Sequence, residues 1–238
     1  MLLKLINMSF PRIIAYNGHK IPLRLRYNTK AKRIILRVDQ ETGGAIITLP
    51  RHASETEALS LVNERVDWIV DKIKGLPPKI TLTDGQSLTL MGHLITIRHR
   101  PDLKMGVQLI GSEMITSGKI EHLHRRIVDW LKKYTKEIIA PRAHNMASQL
   151  ECKINRISIR DTKSRWGSCS SQGNLSFCWR LIMTPEWVLN YVIAHEVSHL
   201  KHMDHGPEFW QIVGTFGVKP KQARIWLNQH GRVLQRIR

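Results

Sequence analysis

TPEWVLNYVIAHEVSHLKHMDHGPEFW, residues 184–210, is the stretch from which the rest of the chain is read. Thr184 followed by Pro185 marks a helix start, the hydroxyl as cap and the proline at the first helical position. Val188, Tyr191, Val192, His195 and His199 then recur at helical spacing. Asp204 and the Gly206-Pro207 pair predict that this helix stops near Met203. Four residues advance an α-helix by slightly more than one turn, so the His195 and His199 imidazoles leave the same face and can converge on one ion. Glu196 sits on the rim of that face, close enough to hydrogen-bond a metal-held water without being a ligand. Neutral imidazole suits zinc, and zinc lowers the pKa of its water from near 16 to about 7, so hydroxide becomes available at neutral pH. HExxH would arise in a shuffled chain of this composition with a probability of about 0.03, and the helix signals around it add to the match.

A catalytic zinc takes three protein ligands and leaves its fourth position to water, so two histidines are too few. His202, His205 and Glu208 are the candidates. His202 shares the helical face but lies about 4.5 Å beyond His199 along the axis, away from an ion wedged between the first pair. The turn after Met203 can bring His205 back, which ranks His205 first, His202 second and Glu208 third.

Working outward, residues 154–159, 165–169 and 175–179 read as short strands, the last two joined by the loop SSQGN at 170–174. A long basic helix is expected from Gly118 to about Leu150, broken or kinked at Pro141. Upstream, Asn17-Gly18 signals a hairpin among strands spanning Ile13 to Pro50. An S-x-x-E box at Ser54 and Glu57 opens a helix to Gly75, and a second strand-rich patch follows to residue 117. This organisation predicts an α+β chain with a β-rich region over residues 1–117, carrying one helix and no assigned role, and a second domain over 118–238.

With 37 Lys+Arg against 19 Asp+Glu, the formal net charge is +18. Such a field attracts polyanions, so nucleic acid or nucleotide is a possible partner beside a protein or peptide substrate. No apolar run approaches the ~20 residues a membrane helix needs, and residues 1–12 carry no signal-peptide pattern. The expectation is therefore a cytoplasmic protein without a membrane partner. Three cysteines with no CxxC pair fit reduced, structural thiols.

KSRWGSCSSQGNLSFCWRL (163–181) followed by 184–210 resembles the YgjP-like metallopeptidases, relatives of the SprT and WLM zinc proteases. NTKAKRIILRV (28–38) is a weaker echo of the basic strand segment in that family. The resemblance implies a zincin-like C-terminal domain of long helices with a small antiparallel sheet, one Zn2+ per chain on His195, His199 and His205, and Glu196 as base. It also implies that the strand from Arg165 to Cys169 walls the cleft, with Arg165, Trp166 and Trp179 towards substrate. For both tryptophans the alternative is a place in the core of the small sheet. Cys178 and Asn190 depart from the asparagine and aspartate common at those places. Tyr191 and Arg180 are candidate oxyanion donors, with a structural tyrosine and a surface arginine as the alternatives. Two rival functions stand beside a zinc peptidase: a metal-dependent nucleotide hydrolase, and a nucleic-acid module with a structural zinc and a footprint from Arg24 to Arg37. The first lacks a GxxxxGK[ST] loop to cradle phosphates.

Overall fold

A computed structural model describes residues 4–6, 12–39 and 42–238. The chain divides between Pro77 and Pro78 into two compact units. This is forty residues before the boundary expected from the sequence, because the second strand-rich patch shares its hydrophobic core with the C-terminal helices.

In the first unit, β1 (Lys4–Ile6), β2 (Arg12–Tyr16), β3 (His19–Tyr27), β4 (Ile35–Asp39) and β5 (Gly44–Leu49) form a sheet in the order β1-β2-β3-β5-β4. The β2–β3 hairpin turns at Asn17-Gly18, both at positive φ as its tight turn requires. Ser54 and Glu57 cap each other reciprocally at the start of α1 (Glu55–Glu64). The expected single helix is interrupted at Arg65, and α2 (Val66–Lys74) continues to Gly75. Ile14, Leu23, Ile47 and Leu49 close a core with Ala58, Val62 and Ile69.

The second unit begins with β6 (Ser87–Leu90), β7 (His93–His99), β8 (Val107–Ile110) and β9 (Glu113–Thr116), in the order β6-β7-β9-β8. Two hairpins are joined by the parallel pair β7–β9, the same arrangement that β2–β3 and β5–β4 make in the first unit. Next comes α3 (Leu123–Gln149), entered through a 3-10 turn at Ile120–His122. Its buried positions, Leu123, Ile127, Leu131, Thr135, Ile139, Ala143 and Ala147, recur every fourth residue and lay one stripe along the core. Pro141 sits inside this helix without ending it. Thr135 Oγ1 lies 2.6 Å from Leu131 O and 2.9 Å from Trp179 O, so the helix is fastened to the turn that carries Trp179.

Then follow β10 (Arg156–Arg160), β11 (Gly167–Cys169) and β12 (Asn174–Cys178), a 3-10 turn at Trp179–Met183, and α4 (Glu186–Ser198), α5 (Pro207–Thr215) and α6 (Pro220–Leu234). The small sheet has the order β10-β12-β11 and is mixed, not antiparallel as expected, because β12 pairs parallel with β10 and antiparallel with β11. Residues 161–166 carry the chain across, which leaves the central place to β12. Alternation along β12 buries Leu175 and Phe177 and turns Asn174 and Ser176 to the other face. Arg142 on α3 donates to Asn190 Oδ1 (2.8 Å) and pairs with Glu186 (2.5 Å), clamping α3 to α4. No helix among the described residues is long and apolar enough to cross a membrane.

Candidate metal centre

The helix carrying the motif starts and stops differently from its sequence signals. Pro185 is its N-cap, and Thr184 does not cap it: the Thr184 hydroxyl turns back to Leu181 O at 2.8 Å. The last α-helical residue is Ser198, five residues before Met203, with His199 as C-cap. Beyond that point Leu200 and Lys201 donate to carbonyls three residues back, a tightening common at helix ends.

This early stop defines the chemistry of His199. Its Nδ1 lies 2.9 Å from the His202 carbonyl oxygen, one of the acceptors that a helix terminus leaves open. A carbonyl can only accept, so Nδ1 carries the proton and Nε2 presents a lone pair. The chain then turns and returns His205, whose Nε2 lies 3.2 Å from Nε2 of His195. His195, His199 and His205 offer ligand atoms that all lie within 4.8 Å of one another. His202 stays outside this cluster, and its Nδ1 faces Glu208 at 3.4 Å. Of the three candidates for the third position, the fold therefore brings His205 to the pair and turns His202 and Glu208 towards each other.

The donor set fits a zinc ion. Two nitrogens bound at about 2.0–2.1 Å in a tetrahedron lie about 3.3–3.4 Å apart, close to the 3.2 Å between His205 and His195. Burial, with the His199 and His205 charges, lowers the His195 pKa to about 4, and burial lowers that of His199. Both are thus neutral near pH 7, the form that ligates. Among the described residues Nδ1 of His195 is buried without a hydrogen-bond partner, and its ring is held by packing. The packing comes from Phe209, fully buried on α5, whose ring centroid lies 5.0, 4.6 and 4.8 Å from those of His195, His199 and His205.

Glu196 is 6% exposed, and burial raises its pKa to about 7 against the opposing pull of Arg165. It lies against β11 at Gly167, where a Cβ would come within 2.5 Å of both Cγ and Oε1 of Glu196. Only a residue without a side chain leaves room for the carboxyl arm there. A cleft of about 390 Å³ opens beside this pair, lined by Arg165, Trp166, Tyr191, His195, Glu196 and Arg224 among others. Arg224 reaches in from α6 with its guanidinium 5.3 Å from the Trp210 ring centre.

The remaining sequence candidates separate cleanly. Arg165 and Trp166 line the cleft. Trp179 is 0% exposed and belongs to the core, the alternative role weighed for it; the hydrophobic turn after β12 carries it inward. Arg180 is equally buried, stacked 4.3 Å over Trp179, and is bound by Asp161 (2.6 Å) and the Ile237 carbonyl (2.6 Å). It is neither a surface residue nor an oxyanion donor. Tyr191 lines the cleft, its pKa raised by burial. Cys178 and Asn190 are bonded elsewhere than to the three imidazoles, the Cys178 thiol to Thr162 O and the Asn190 amide to Arg142. All three cysteines are free, and burial together with Glu196 pushes the Cys169 thiol to about 11, leaving it protonated at neutral pH. Gly167, Phe209 and Arg224 escaped the sequence reading. The first two had a signal in the glycine of the WGS string and in an aromatic four residues after His205, whereas Arg224 had none.

The model of the YgjP-like metallopeptidase domain matches residues 32–230. The chain belongs to this family. A divalent metal therefore belongs to its chemistry, and peptide hydrolysis is the activity the family's description carries. The match spans both compact units, so the first unit is part of the family domain. A solved structure that the chain is similar to is the metallopeptidase zymogen of Pyrococcus abyssi, abylysin, at 21% identity and a TM-score of 0.30, over 46% of this chain and 97% of that one. No curated protein matches the chain.

Proposed function

We propose that the second unit is a zincin-like peptidase centre in which His195, His199 and His205 hold one zinc ion and Glu196 is the general base. The observation that carries this reading is the convergence of three imidazoles beside a buried carboxyl seated on the glycine of a strand. When bound, zinc supplies Lewis-acid polarisation of the scissile carbonyl and an acidified water. Glu196 takes a proton from the attacking water and later returns it to the leaving amine. Burial makes this carboxyl a stronger base than a solvated one, its pKa standing near 7 before the field of a metal acts on it. Arg165 holds part of that carboxyl in its ionised form.

Peptide is the substrate this geometry favours. β11 is an edge strand of its sheet and runs past Glu196 at Gly167, so an extended chain can pair with its free side and lie across the metal ligands. Trp166 and Arg224 flank that path, and Tyr191 stands within it as an oxyanion donor.

The experiment is metal analysis combined with turnover of unstructured peptides and of nucleoside triphosphates, with and without chelator. One zinc per chain and chelator-sensitive peptide cleavage are expected. Glu196→Gln should keep the zinc and lose about 10²–10⁴-fold in turnover. Undiminished cleavage by that variant, or hydrolysis of nucleotide in place of peptide, would overturn the assignment.

A further inference from the structure

On the far side of the small sheet, away from β11, the other edge strand is also unpaired. Among the described residues β10 pairs with β12 alone. Its free edge forms one wall of an open trough of about 590 Å³, and α3 forms the other. Every residue from Ile154 to Arg160 lines this trough. Side chains of a strand alternate between faces, so a continuous run means that the backbone edge itself, with its free N–H and C=O groups, borders the space.

The charge of the trough is of one sign. Lys132, Lys133 and Lys136 line it from α3, and Arg156 and Arg160 from β10, with no carboxylate among the lining residues. Lys132 is shared with Asp129 at 3.7 Å. Among the described residues Lys133, Lys136, Arg156 and Arg160 make no salt bridge, and all four are exposed. A neighbouring depression shares Arg156, Ser158 and Arg160 and extends to Arg165. Arg165 also lines the metal cleft, so the two depressions share this arginine; Asp161, the one carboxylate lining the neighbouring depression, is held by Arg180.

We infer that this trough is a docking site for an acidic, extended polypeptide segment, which adds to β10 as a further strand while its carboxylates meet the lysines of α3 and the arginines of β10. Unpaired strand edges recruit polypeptide through main-chain hydrogen bonds, and five cations, of which only Lys132 has a carboxylate partner in Asp129 among the described residues, select the sign of the guest's charge. Strand β10 spans five residues, so the paired stretch is about 17 Å long, or five to six residues of guest. Nucleic acid fits this surface less well. Neither depression is lined by tyrosine, tryptophan or phenylalanine, the residues on which unpaired bases stack, and a phosphate diester has no donor for the carbonyl groups of a strand edge.

The site is separate from the metal centre, and the test does not depend on catalysis. A fluorescent ten-residue peptide alternating Glu with Thr is titrated into the full chain carrying Glu196→Gln, so that no cleavage confuses the reading. Fluorescence anisotropy is recorded at physiological ionic strength. The acidic peptide should bind, and the same peptide with Lys for Glu should not. Lys133→Glu combined with Arg156→Glu should weaken binding at least about tenfold, with the circular dichroism spectrum and melting temperature unchanged. N-methylation of alternate backbone amides, in the register facing β10, should abolish binding at equal charge. Failure of the acidic peptide to bind, indifference to the charge reversals, or equal affinity of the N-methylated peptide would overturn the inference. So would a duplex oligonucleotide that binds more tightly than the peptide through the same residues.

Discussion

Replacing Gly167 with alanine tests the seat of Glu196 without touching any ligand. A Cβ at this position would stand 2.5 Å from Glu196 Cγ and 2.7 Å from Cδ. Relaxed carbon–carbon contacts begin at about 3.5 Å, so the carboxyl arm must move by about 1 Å. Cγ is close to the helix backbone and cannot swing aside as a chain end can, so the whole arm has to change rotamer. A misplacement of about 1 Å at a reacting group costs about 10²-fold in rate, or about 2.7 kcal/mol of transition-state stabilisation. Gly167 does not lie at positive φ, so alanine strains nothing in the strand and even restricts the unfolded chain. The expected variant folds with a melting temperature within a few degrees of the parent, keeps its zinc and cleaves a fluorogenic peptide about a hundred times more slowly. Turnover within about threefold of the parent at full metal occupancy would refute the claim that this glycine exists to seat the base.

Three further outcomes follow from the geometry. His205→Ala should lose most bound zinc on dialysis, whereas His202→Ala should retain it, because His202 serves His199 through its carbonyl oxygen and not its side chain; metal content after dialysis decides. Arg165→Gln removes the charge that lowers the Glu196 pKa, so the acidic limb of the pH–rate profile should move to higher pH while zinc content stays constant. In the metal-free protein, Glu196 keeps its proton between pH 4.5 and about 7 when folded and loses it when unfolded, so this group makes stability fall as pH rises through that window. His195, at about 4 in the fold against 6.5 unfolded, does the opposite between those values. Glu196→Gln removes the first effect and leaves that of His195, to which the lowered pKa of His199 adds with the same sign, so its metal-free melting temperature should climb from pH 4.5 to 6.5 more steeply than that of the parent.

The Asn17-Gly18 hairpin and the Ser54–Glu57 capping box were readable because each is a short-range device whose geometry lies within a few residues. The end of α4 was misjudged for the complementary reason. Nothing between Leu200 and Met203 breaks a helix by propensity, and it is the imidazole of His199, capturing the His202 carbonyl, that accompanies the early stop. The unit boundary was misplaced because a shared core, here Leu88, Ile97 and Met114 against Ile127 and Leu131, leaves no mark in local composition.

From the order of residues alone came the pair His195 and His199 on one helical face with Glu196 beside them, since helical periodicity is a property of the backbone. The ranking of His205 above His202 also came from the linear chain, but only folding brings its ring 3.2 Å from His195 and turns the His202 side chain away to Glu208. The glycine under Glu196, the phenylalanine against all three imidazoles and the raised pKa of the buried carboxyl belong to tertiary structure. Burial and close approach are relations between segments far apart in the chain, and no short stretch of sequence contains both partners.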